Sequence, residues 1–277
     1  MSGFRLPDWL IYATGLVLCV VIPGTWREKS PVPPAPNPPS PEEFLPLAPL
    51  APFDPSQVIT VPNLSKMEHR GAAFAISSRG EWLTTREVLQ NCEHPALLIG
   101  GDLAVRAKAG HRDLRSQIAL LTTPGGPMAL PIQTEPPLKP GDRAFHPGYV
   151  RGSVAETTSR LIGKTVLDSR KRGGGNQVVY AWAEAGRTAK LPAGLRGING
   201  APALNAHGAI VGVTVGHNPR RGRVYTTTTE SVTAALKNRT SPEEIAVGVP
   251  LTRKNYGLVS DTLRRDMRLL PVLCLPA

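Results

Sequence analysis

Between residues 68 and 238 the chain is a succession of short runs rich in Val, Ile, Thr and Leu, each broken by Gly or Pro at short intervals. Such runs stand at 96–99, 103–106, 118–122, 177–182 and 223–229. This spacing argues for an all-β barrel or sandwich and against strands alternating with helices. Residues 160–167 and 176–182, separated by Lys171-Arg172-Gly173-Gly174-Gly175, read as a hairpin with a glycine turn. Past them, 230–238 reads as a short helix. Ser241-Pro242-Glu243-Glu244 is a helix start, with a Ser cap, Pro at the first position and Glu closing a capping box. A further helix is expected over 260–268, where apolar residues recur at 263, 267 and 270.

The N-terminal part is of another kind. Residues 9–26 carry no charge and have Trp9, Tyr12 and Trp26 near their ends. As a helix rising about 1.5 Å per residue they would cover roughly 27 Å, close to the hydrocarbon thickness of a bilayer. A cleaved signal peptide competes with this reading. No Ala-x-Ala site follows, however, and Leu16-Val17-Leu18 puts no small residue before Cys19, so an uncleaved single-pass anchor is favoured. Charge leaves its orientation open, since Arg5 opposes Asp8 on one side and Arg27 and Lys29 oppose Glu28 on the other. Many of the 29 prolines then fall in 27–62, where Pro31-Val32-Pro33-Pro34-Ala35-Pro36 begins a polyproline-II tether reaching up to roughly 90 Å. The expected organisation is a short segment at 1–8, the anchor at 9–26, the linker at 27–62, a folded part to 239 and an extension at 240–277.

A net charge of +11, with basic clusters at 170–172, 220–223 and Arg264-Arg265, gives a field that attracts anionic surfaces. A plain solvated basic face is the simpler reading. Nucleic acid is not expected, because aromatics make up only 5% and no recognised module is present. Cys19 falls in the apolar segment, which leaves Cys92 and Cys274 for the folded part. A disulfide between them and a pair of buried thiols both fit. The cysteines lack zinc spacing and the six histidines show no His-x-x-x-His pattern, so neither a metal nor another cofactor is expected.

Three motifs carry chemistry by their form. Gly197-Ile198-Asn199-Gly200-Ala201-Pro202, followed by the apolar run 209–215, resembles the nucleophile loop of trypsin-like (chymotrypsin-fold) serine peptidases. Upstream, 71–88 resembles the family's opening hairpin, which runs into a Leu-Thr-Ala-x-His-Val motif. Residues 113–121 resemble its Ser-Asp-Ile-Ala-Leu-Leu segment. Here the nucleophile position holds Asn199, the base position Glu87 and the orienting position Gln117. An amide has no ionisable oxygen with which to attack a carbonyl.

The resemblance covers some 170 residues and implies a double six-stranded barrel, with a first barrel at 63–148 and a second at 149–239. Residues 140–152 resemble the link between barrels, and His146-Pro147-Gly148-Tyr149 the family's turn there. It also implies a former oxyanion hole at the N–H groups of Gly197 and Asn199, and Glu87, Gln117 and Asn199 sharing one cleft within hydrogen-bond reach. The extension at 240–277 is expected to form a short helical and extended tail with no role in the family. Because a triad needs nucleophile, base and carboxylate together, the chain is expected to be a non-enzymatic pseudoprotease. Its expected role is as a protein- or peptide-binding module or a scaffold subunit of a membrane complex, facing the periplasm from a bacterial inner membrane. The alternative is an active serine endopeptidase whose nucleophile lies elsewhere. For that, Ser116 with His111 and Asp113 is one candidate set, and His207 and His217 flank the strand after the Asn199 loop.

Overall fold

The computed structural model describes residues 53–112, 116–133, 137–168, 175–189, 191, 195, 197–237 and 246–276. The expected anchor at 9–26, the polyproline stretch and the helix start at Ser241 lie outside them. Among the described residues no helix is long and apolar enough to cross a membrane.

Strands β1 (Val58–Thr60), β2 (His69–Ser77), β3 (Glu81–Thr85), β4 (His94–Gly100), β5 (Leu103–Arg106), β6 (Lys108–Arg112) and β7 (Ile118–Thr122) make up the first half. The second contains β8 (Arg143–Val150), β9 (Ser153–Asp168), β10 (Asn176–Arg187), β11 (Pro202–Leu204), β12 (Ile210–Asn218) and β13 (Arg223–Thr227). Helices α1 (Thr229–Leu236) and α2 (Tyr256–Arg265) follow, and then strand β14 (Leu269–Leu275). The second half closes into a barrel in the order β10-β13-β12-β11-β8-β9. The first is an eight-stranded sheet in the order β1-β5-β4-β14-β2-β3-β7-β6. The fold is all-β and chymotrypsin-like, with little helix.

Strand β2 shows why the two halves stay together. Its alternate residues Ala72, Phe74 and Ile76 enter a core shared with Phe145, Leu195, Ile198 and Ala201 of the second half. Ala73 and Ala75 face the other way, into a core with Trp82, Leu89, Leu97 and Val272. A strand buried on both faces is apolar without alternation, as 71–76 is. Each half also buries one tryptophan whose indole N–H meets a threonine hydroxyl: Trp82 donates to Thr123 and Trp182 to Thr226, both at 2.9 Å.

Three expectations are corrected. Residues 146–149 form no turn but lie within β8, with Pro147 opposite Glu156 on β9. Proline fits there because β11 pairs with β8 only at Leu204↔Phe145, so the other flank of Pro147 needs no donor. The turn comes at Arg151 and Gly152, both at positive φ, and a boundary at 148/149 would cut β8, so the second barrel begins at Arg143. The first half is an eight-stranded sheet and not a six-stranded barrel, because it recruits β1 from the expected linker and β14 from the expected tail.

The tail is therefore part of the core. β14 lies between β4 and β2, with Leu270 opposite Ala73 and Val272 opposite both Gly71 and Leu97. Helix α2 buries Val259 and Leu263. Its Arg264, expected within a basic surface cluster, is half-buried and engaged instead: Nη1 reaches Glu156 Oε1 at 2.7 Å and the guanidinium lies over Tyr149. Burial raises the carboxyl pKa of Glu156, with Arg264 opposing that shift. A disulfide joins Cys92 to Cys274, with Cα atoms 5.6 Å apart, and ties β14 to the segment that follows β3.

Candidate functional site

The Asn199 loop is shaped by its own glycines and by two neighbouring strands. Gly197 and Gly200 have φ of +98° and +81°. The turn closes by Ile198 N–H to Leu195 and Ala201 N–H to Ile198. Gly200 N–H donates to Thr214 on β12, whose own N–H donates back to Ala201. On the other side Ala72 N–H donates to the Asn199 carbonyl at 2.9 Å. Thr84 Oγ1 donates to the Ala72 carbonyl at 2.7 Å, which fixes β2 against β3 at the same level.

Glu87 lies in the turn after β3, held by Val88 N–H to Thr85 and Leu89 N–H to Arg86. The side chains of Val88 and Leu89 are buried and that of Glu87 is half-buried. Gln117, buried, precedes β7, and its carbonyl accepts from Arg86 N–H at 2.8 Å. Gly71 marks where the segments meet. A Cβ there would lie 2.3 Å from the Asn199 carbonyl oxygen and 2.7 Å from Val88 Cγ2, contacts no side chain tolerates. The backbone thus brings the turn of Glu87, the strand entry of Gln117 and the Asn199 loop to one place between the two halves. The N–H groups of Gly197 and Asn199 find no acceptor among the described residues.

The other candidates take structural roles. Ser116 is buried and accepts Ile118 N–H at 3.3 Å, while Asp113 lies outside the described residues. His207 is exposed in the turn where Asn205 Oδ1 accepts from the N–H groups of His207 and Ala209. The His217 side chain is buried on β12, 3.1 Å from Glu184 Oε2. Sequence reading missed a further serine–histidine contact. His146 Nε2 lies 2.7 Å from Ser159 Oγ, and its Nδ1 lies 3.3 Å from Thr214 Oγ1. All three residues are inaccessible, and burial pulls the imidazole pKa down to about 3. This neutral ring knits β8, β9 and β12 inside the barrel, where no substrate reaches it. β8 is buried at every position after Arg143, so no alternation singles out His146, and the turn reading of 146–149 hid the strand itself. Among the described residues no three metal-ligating side chains come together.

Comparisons with known proteins agree with this fold. A family model described as a trypsin-like peptidase domain matches residues 71–213, a span that contains Glu87, Gln117 and Asn199. No curated protein sequence matches. The MamO protease domain from Magnetospirillum magneticum, in its apo form, superposes with a TM-score of 0.50 at 15% identity, covering 66% of this chain and 97% of that one. The Rv3671c protease from M. tuberculosis, in its active form, gives a TM-score of 0.49 at 18% identity, covering 79% of this chain and 100% of that one. With the family model aligned over more than half of its length, the chain belongs to the trypsin-like peptidase family.

Proposed function

We propose that the chain is a non-catalytic trypsin-like module that binds a protein or peptide, or serves as a scaffold subunit of a membrane complex. The observation that carries this reading is Asn199 at the head of the family's nucleophile loop, with Glu87 and Gln117 at the positions of base and carboxylate. No proton acceptor converts an amide into a nucleophile, and losing nucleophile or base alone costs on the order of a millionfold in turnover. The N–H groups of Gly197 and Asn199 retain the means to hold a carbonyl oxygen without turning it over. Extended peptides pairing with strand edges beside this cleft would give the module its affinity.

The active-peptidase alternative gains nothing from the Ser159–His146 contact, because both side chains are sealed within the barrel. The segment at 9–26 would hold the module to a bacterial inner membrane, with the proline-rich tether presenting it to the periplasm. Peptide hydrolysis followed through a sizing column tests the inactive state. No activity above buffer is expected, and activity that tracks the protein peak would overturn the reading.

A further inference from the structure

The eight-stranded sheet of the first half leaves β6 at one edge. An edge strand presents alternate backbone N–H and C=O groups without sheet partners. At the start of this strand, where Lys108 and Ala109 line it, lies a groove of about 680 Å³, within the volume range of ligand sites. It runs beside residues 106–109, with Glu93, His94 and Leu275 on one wall and Thr122 on the other. Glu93 and Leu275 each follow a cysteine of the Cys92–Cys274 disulfide, so that wall is covalently fixed. Ala107 N–H donates to the Pro95 carbonyl at 2.9 Å, which fixes the floor. The groove is therefore preformed.

Its chemistry follows from the β5–β6 junction. Arg106 and Lys108 are exposed while Ala107 between them is buried, the alternation of an extended backbone. Two cations on one face of an extended segment stand roughly 7 Å apart, the spacing of alternate side chains on an added strand. Glu93 is the single opposing carboxylate among the lining residues, so the groove is net cationic. The apolar surface of Ala107, Pro95 and Leu275 suits the intervening side chains of such a strand.

We propose that a partner protein's extended segment, alternating acidic and apolar residues, adds as a strand to the β6 edge, with Arg106 and Lys108 pairing its carboxylates. This site is separate from the Asn199 loop and does not depend on that loop being inactive.

The test uses the full-length chain and a fluorescein-labelled peptide alternating Asp and Val, followed by fluorescence anisotropy, with a Lys-for-Asp peptide as comparison. Saturable binding of the acidic peptide is expected. Arg106→Glu with Lys108→Glu should weaken it at least about tenfold, whereas Arg220→Glu with Arg221→Glu, an exposed basic pair elsewhere, should change it less than about twofold. Hydrogen exchange should slow at 108–112 on binding. The proposal is overturned if the acidic peptide fails to saturate a chain that circular dichroism shows folded, or if the Lys peptide binds as tightly. Equal weakening by both charge reversals, or exchange protection at 197–202 in place of 108–112, would overturn it too.

Discussion

The N–H of Ala72 donates to the carbonyl of Asn199 at 2.9 Å, tying the loop of the second barrel to a central strand of the first sheet. The loop is thus a structural joint whatever its chemistry. Gly200 lies within that joint: at φ +81°, a Cβ would come 2.0 Å from the Ala72 carbonyl oxygen and 2.6 Å from Thr84 Oγ1. Gly200→Ala must displace backbone as well as adopt a disfavoured conformation. A loss of about 3 kcal/mol or more is expected in urea unfolding. A change below about 0.5 kcal/mol, the range of ordinary surface substitutions, would contradict the close approach.

The Cys92–Cys274 disulfide spans 182 residues in sequence and holds β14 in the middle of the first sheet. A loop of that length restricts the unfolded chain by about 5 kcal/mol in the chain-entropy model, with measured gains usually 2–5 kcal/mol. Replacing both cysteines by serine should lower the unfolding midpoint accordingly, and reductant should then have no further effect on the variant. An unchanged midpoint on reduction of the wild type would show that packing alone holds β14.

His146 gives a pH dependence of definite sign. Burial lowers its folded pKa to about 3, against an ordinary value near 6.5, so the folded state favours the neutral ring. Its contribution is present above the unfolded pKa and is lost as pH falls from about 6.5 through about 3, where the unfolded chain takes up a proton that the folded one refuses. His146→Asn should be less stable at pH 7, since Ser159 and Thr214 lose their ring partner. Its stability should also fall less steeply across that window, by up to about 1.4 kcal/mol per pH unit. Parallel pH profiles for the two proteins would contradict a buried neutral imidazole.

Strand runs such as 103–106 and 118–122 were legible because each alternates or stays apolar between Gly and Pro breaks, and both are found as strands. Helix α2 was legible too, though it starts at Tyr256, ahead of the expected Ser260. The place of β14 was not. Residues 269–275 are a plain apolar run, and nothing local tells such a run that its partners lie at 69–74 and 94–97. The strand at 143–150 was hidden by Pro147-Gly148, which reads as a turn unless it is known that β11 pairs with β8 at Phe145 and not at Pro147. Gly148 is there because a Cβ would strike Ala201 and Ile198, at 2.8 and 2.9 Å. At the site, residue types were readable from the motifs, while their meeting around Gly71 required the fold.

On the proposed reading the Asn199 loop carries no nucleophile and no other serine of the chain is activated. Fluorophosphonate labelling tests it most directly, because the probe reports an activated serine anywhere in the chain. The wild type should remain unlabelled, and so should Asn199→Ser alone, since position 87 offers a carboxylate where the family has an imidazole. Covalent labelling of the folded wild-type chain would contradict the proposed inactivity.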